Sequence, residues 1–201
     1  MATTRVYFEE GATSVFAVAL DWPGWARRAK TLELALDELA AYRDRYGHLV
    51  PRGLTSGTFE IVGTVRGSTT TDFGAPSESG PWDEVALSTQ EMKRQIGVLE
   101  STWQYFDRVV ANAPAELRKG PRGGGRDRDK LVDHVREAER TYSGKIGAKV
   151  PLRTPWTEQR ATIVASLLSG SGSGAWSTRY AIRRIAWHVV DHAWEIEDKG
   201  N

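Results

Sequence analysis

Residues 183–198 read RRIAWHVVDHAWEIED, and how this stretch folds decides the rest. Ile182, Ile185, Val189 and Ile196 recur at helical spacing with charged positions between them, so the spacing predicts one amphipathic helix from about Ser177 to Asp198. A helix advances about 100° per residue, so His188 and His192 differ by about 40° and project together. Both lie at the edge of the apolar stripe, where a side chain points into a cleft between helices. Two imidazoles placed this way can chelate one divalent ion, although spacing alone also allows two solvated residues. Position 189 is Val, so the metalloprotease pattern H-E-x-x-H is absent.

Working upstream, three further segments carry the same periodicity. Ser88 and Glu91 have capping-box spacing, and Met92, Ile96, Leu99, Trp103, Phe106 and Val110 follow as an apolar stripe that Pro114 closes. A second helix is expected from Asp127 to Ile146, with Leu131, Val135, Ala138, Tyr142 and Ile146 on its buried side. Thr154-Pro155 reads as an N-cap followed by Pro in the first turn, opening a third helix to about Leu168. Gly170 to Gly174 (GSGSG) breaks the chain before the histidine helix. Four amphipathic helices with intervening loops predict an up-down four-helix bundle over residues 85–201.

The first 66 residues carry a different rhythm. Arg5 to Glu9 and Ser14 to Asp21 are rich in Val, Phe and Tyr and flank a turn at Glu10-Gly11. Trp22-Pro23-Gly24-Trp25 supplies a Pro-Gly turn, and Thr31 caps a helix predicted through Tyr46. Phe59 to Arg66 alternates again. The expectation is an α+β chain: a ββαβ module over 1–66, a Gly/Ser/Thr/Pro-rich linker or long loop over 67–84, and the bundle.

Composition narrows the chemistry. The formal charge is +1, which gives no general pull toward nucleic acid or membrane, and no apolar run spans a bilayer. No signal-peptide pattern is present, so a cytoplasmic location is expected. There is no cysteine, which removes thiolate metal sites, iron–sulfur clusters and a cysteine nucleophile; any thiol chemistry needs a thiol from outside. The eight Trp read chiefly as packing anchors.

A third candidate ligand strengthens the histidine pair. His134 lies in DHVREAERTY, about 40° from Ala138 on the second helix. Three imidazoles on two facing helices form an open three-nitrogen site whose fourth position admits water or a substrate atom. Asp191 and Glu195 are candidate partners for the imidazole N–H groups; Glu195 projects about 20° from His188 and Asp191 reads as a solvated residue. His48, before Pro51, has no partner in sequence and reads as a helix C-terminal or exposed residue. Arg118 to Lys130 (RKGPRGGGRDRDK) reads as a loop between helices that enters the second helix near His134, where it could help hold an acidic cofactor.

The blocks DHVREAERTY and RRIAWHVVDHAWEIED together resemble the DinB-like superfamily over residues 85–198. That resemblance implies a four-helix bundle with His134, His188 and His192 as ligands to a zinc- or nickel-class ion. It also implies activation of a low-molecular-weight thiol such as mycothiol or bacillithiol for transfer or isomerisation. The N-terminal FAVALDWPGWARRAKTLELALDEL resembles the HicB-like ββαβ module, here without a DNA-binding element after it.

The expected function is therefore metal-dependent activation of a thiol or water toward a small-molecule substrate, as a transferase, isomerase or hydrolase. No nucleic acid or membrane partner is expected, and a second copy of the chain is a candidate partner. The alternatives are a non-catalytic binding or regulatory protein working through the HicB-like module, and a metal-free sensor with an apolar ligand among its tryptophans.

Overall fold

The computed structural model describes residues 3–50, 54, 57–120, 124–170 and 174–200. Pro51, the centre of the 170–174 break and residues 121–123 of the Arg-Gly loop lie outside the described residues.

The fold is α+β: a four-stranded sheet followed by long helices. Strands β1 (Thr4–Glu10) and β2 (Val15–Ala19) form an antiparallel hairpin, and β3 (Ala26–Ala29) pairs antiparallel with β2. Helices α1 (Leu32–Ala41) and α2 (Arg43–Gly47) cross back to β4 (Phe59–Arg66), which lies parallel to β1 in the order β3-β2-β1-β4. Strand β3 is one more than the sequence suggests. Its residues, ARRA, show no apolar alternation, because an edge strand tolerates outward arginines. The predicted single helix breaks at Tyr42 (φ −88°, ψ 4°), whose ring is held under the Arg27 guanidinium at 3.7 Å and against Trp194 at 5.1 Å.

The Pro-Gly turn is built by tertiary contact. Trp25 N–H closes it onto Trp22 O at 3.1 Å, and the turn lies against the last helix. Gly24 has φ +97°, and a Cβ there would meet Val190 Cγ2 at 3.1 Å and Ala186 O at 3.3 Å. Glycine is thus required twice over, by conformation and by space.

Residues 67–84, expected as a linker or long loop, are tied to the sheet. Helix α3 (Thr69–Phe73) is capped by Ser68, and a 3-10 turn spans Pro81–Asp83. Buried Glu9 accepts from Thr71 Oγ1 (2.6 Å), Ser77 N (2.9 Å) and Glu78 N (3.0 Å), while Asp72 accepts from Ala12, Thr13 and Ser14 N in the β1–β2 turn. Polar composition gave the appearance of a tether because these residues supply hydrogen bonds rather than apolar area.

Helices α4 (Thr89–Asn112), α5 (Arg128–Lys145), α6 (Trp156–Ser169) and α7 (Thr178–Gly200) follow. Ser88 Oγ caps α4 by accepting from Glu91 N, but the Glu91 carboxylate turns to Arg94 and Gln95 instead of completing the box. Pro155, not Thr154, occupies the N-cap of α6. Their apolar faces meet in one core that includes Leu99, Phe106, Leu131, Val135, Ile163, Ile182, Ile185 and Val189. No helix among the described residues is long and apolar enough to cross a membrane.

Helix α7 also belongs to the sheet. Val190 and Trp194 enter the core shared by Val6, Ala17, Trp25 and Leu39, and Trp187 packs with Tyr7, Phe16 and Val18 on the other side. Between them, Arg183 forms a buried bidentate pair with Asp83, its second contact at 2.9 Å, and reaches Tyr7 Oη at 3.4 Å. Asp83 also accepts from Gly80 N at 2.9 Å. Removing one member of such a pair strands a charge in the interior. Asp83→Ala is expected to lower the unfolding free energy by about 3–5 kcal/mol, measured by urea denaturation.

Candidate metal centre

His134 comes from the second turn of α5, and His188 and His192 come from successive turns of α7. Val135 on one helix and Val189 on the other are fully buried in the shared core, which turns the neighbouring imidazoles toward the interhelical seam. The three rings are 4.6–5.0 Å apart, centre to centre. One nitrogen from each lies within 4.8 Å of the other two. His188 Nε2 is 3.3 Å from His134 Nε2.

These distances fit a metal. Two nitrogens at 2.0–2.1 Å from one ion, subtending a tetrahedral angle, lie about 3.3 Å apart. His192 Nδ1 hydrogen-bonds Glu195 Oε2 at 2.8 Å, leaving Nε2 to face the cluster. Lys199 Nζ holds the other Glu195 oxygen at 2.5 Å. Glu195 thus pairs with His192, one turn away, rather than with His188. His188 Nδ1 is buried with no hydrogen-bond partner among the described residues, so Nε2 is the nitrogen left to ligate.

Burial sets the protonation of His188 and His134. It holds the His188 pKa well below the usual histidine value, reinforced by His192 and Arg184; His134 is lowered by burial, His192 and Arg126. Neutral imidazoles are the ligating form. The hydrogen bond from His192, aided by Lys199, draws the Glu195 pKa down to about 2. Asp191, read from sequence as solvated, is half-buried; burial raises its pKa against the opposing charges of His192, Arg27 and Arg28. His48 stands apart as the exposed C-cap of α2.

The sequence reading missed Tyr142 and Arg184 as neighbours of this site. Tyr142 meets the His188 ring edge-on at 5.7 Å, and the Arg184 guanidinium lies 4.8 Å from the Trp187 ring centre and 5.3 Å from that of Tyr142. Their signal was spacing alone: Arg184 is one turn before His188, and Tyr142 is two turns after His134. It also missed Glu139 within the apolar stripe of α5. This carboxylate is fully buried, accepts from Trp156 Nε1 at 2.6 Å and lies 3.5 Å from Arg160 Nε.

No family model, curated protein or solved structure matches the chain.

The lowered histidines give a signed prediction. The unfolded chain takes up protons near pH 6.5, whereas native His188 and His134 resist until lower pH, so stability is greatest above 6.5 and falls as pH drops below it. Glu195 acts in a separate window, losing its contribution only as pH falls from about 4.3 toward 2. Denaturation of the metal-free protein between pH 7 and 5 is expected to show a decline of up to about 1.4 kcal/mol per pH unit from buried His188 and less from the more exposed His134, flattened in His188→Leu.

Proposed function

We propose that His134, His188 and His192 hold one divalent ion of the zinc or nickel class, and that the chain is a metal-dependent enzyme acting on a small electrophile. The observation that carries this reading is the 3.3 Å approach of His188 Nε2 to His134 Nε2 beside an anchored His192. The resemblance of the two histidine blocks to the DinB-like superfamily supports the same assignment and suggests transfer or isomerisation with a low-molecular-weight thiol. Water in place of the thiol makes the enzyme a hydrolase on the same ligand set. An ion with three imidazole ligands supplies a Lewis acid with an open position that lowers the pKa of a thiol or water.

The protein's own groups do the rest. Glu195 fixes the His192 tautomer by accepting from Nδ1, and Lys199 keeps that carboxylate in place. Burial keeps His188 and His134 neutral near pH 7. Tyr142 and Trp187 lie against His188 and limit water on that side. The N-terminal sheet contributes a wall, since Arg27 of β3 lies over the Trp194 ring and its charge acts on Asp191 beside His192. That placement favours an enzyme whose cleft includes the module over a separate regulatory unit.

Protein loaded with zinc or nickel and freed of excess metal is expected to retain one equivalent per chain by elemental analysis. His188→Ala and His134→Ala are expected to retain none, and Glu195→Gln to bind about 10–100-fold more weakly. Wild-type protein that retains no metal overturns the assignment.

A further inference from the structure

We propose that this centre takes a small molecule bearing a carboxylate, whose acid group is held by Arg184 with Arg126 as the second cation, while its reactive atom occupies the open metal position. The inference rests on the metal reading above and specifies the class of molecule that enters.

The charge balance around the imidazoles points to an anion. Glu195 is committed to His192 and Lys199, and Asp191 is half-buried with the charges of Arg27 and Arg28 acting on it. Arg184 and Arg126 are left with no carboxylate partner among the described residues. Arg184 is half-buried, and its Nη1 is shielded from solvent without an acceptor. A buried donor without an acceptor is destabilising, so this side chain sits in a state that a bound acceptor relieves. Its aromatic supports, Trp187 and Tyr142, fix the plane of the guanidinium without consuming its N–H groups. A planar fork held this way matches the two oxygens of a carboxylate.

Arg126 stands in the loop just before α5, the helix that carries His134. Its loop runs beside Lys199: a Cβ on Gly125 would lie 3.5 Å from Lys199 Nζ. The Arg126 charge reaches both His134 and His188. Exposed and unpacked, it can follow a ligand without disturbing the core. The charges of both arginines therefore act on His188, Arg184 from one turn earlier on α7 and Arg126 from the loop before α5. A neutral ligand of the same length engages the metal but leaves both unsatisfied.

The test uses the full chain loaded with cobalt(II), titrated with 3-mercaptopropionate and with 3-mercapto-1-propanol. These thiols are of equal length and differ in the acid group. Binding is read from the sulfur-to-cobalt charge-transfer band, and cobalt content is measured on every sample. The acid is expected to bind roughly tenfold more tightly than the alcohol, a preference that shrinks with added salt. Arg184→Gln should bring the ratio near one at unchanged cobalt content, Arg184→Lys should keep part of it, and Arg126→Gln should reduce it by a smaller factor. Equal affinities in the wild type, or a preference unmoved by Arg184→Gln, overturn this proposal and leave the metal assignment standing. A wild-type chain that takes up no cobalt overturns the assignment and this proposal together.

Discussion

Helix α7 must satisfy three neighbours at once, and the rest of the structure is arranged around that constraint. One side carries Ile182, Ile185, Val189 and Ile196 into the bundle, another puts Val190 and Trp194 under the sheet, and Trp187 closes the sheet's opposite face. A helix buried on nearly every side has few positions left for polar groups. Arg183, inside, is neutralised by Asp83 from the segment between sheet and bundle. His188 and His192 face the remaining seam, toward α5. The site is therefore located by packing: the seam is where α7 has not been claimed by an apolar neighbour.

The same constraint explains why so many charged groups sit inside a chain of ordinary composition. Glu9, Asp83 and Glu139 are all nearly or fully buried carboxylates, and each answers a polar surface that folding has shut off from water. Glu9 collects two backbone N–H groups and a hydroxyl from the segment after β4, and Asp83 meets Arg183. Glu139 sits between Trp156 and Arg160. These groups specify which segment docks where, because an alternative docking leaves a charge unpaired. The histidine cluster differs in kind. Its three imidazoles face one another, with His192 also bonded to Glu195, an arrangement that becomes favourable when an ion sits between them.

How much of this is legible in the sequence depends on what each element contributes. The four long helices declare themselves because their apolar positions recur over several turns, as from Met92 to Val110. The meeting of His134 with His188 and His192 is legible for a related reason: each lies at the edge of a stripe, and stripes face each other. Strand β3 is not legible, since ARRA at a sheet edge needs no alternation. Arg183 reads from sequence as one more solvated arginine, because its partner lies 100 residues away and no local spacing connects them. The segment over 67–84 is misread for the opposite reason. Its serines and threonines resemble a tether until Glu9 and Asp72 are seen to gather their donors.

The participation of α7 in both halves also governs the order in which the molecule can form. During synthesis the sheet emerges long before α7, yet Val190 and Trp194 complete one of its cores and Trp187 the other. Until α7 leaves the ribosome, both sheet faces lack part of their apolar cover, and the parallel β1–β4 pairing has already incurred its loop-closure entropy. The nascent N-terminal half is thus an unfinished surface awaiting its last strut. Shortening the chain before Trp187 removes the histidine pair and a buried contact from each face of the sheet in one cut.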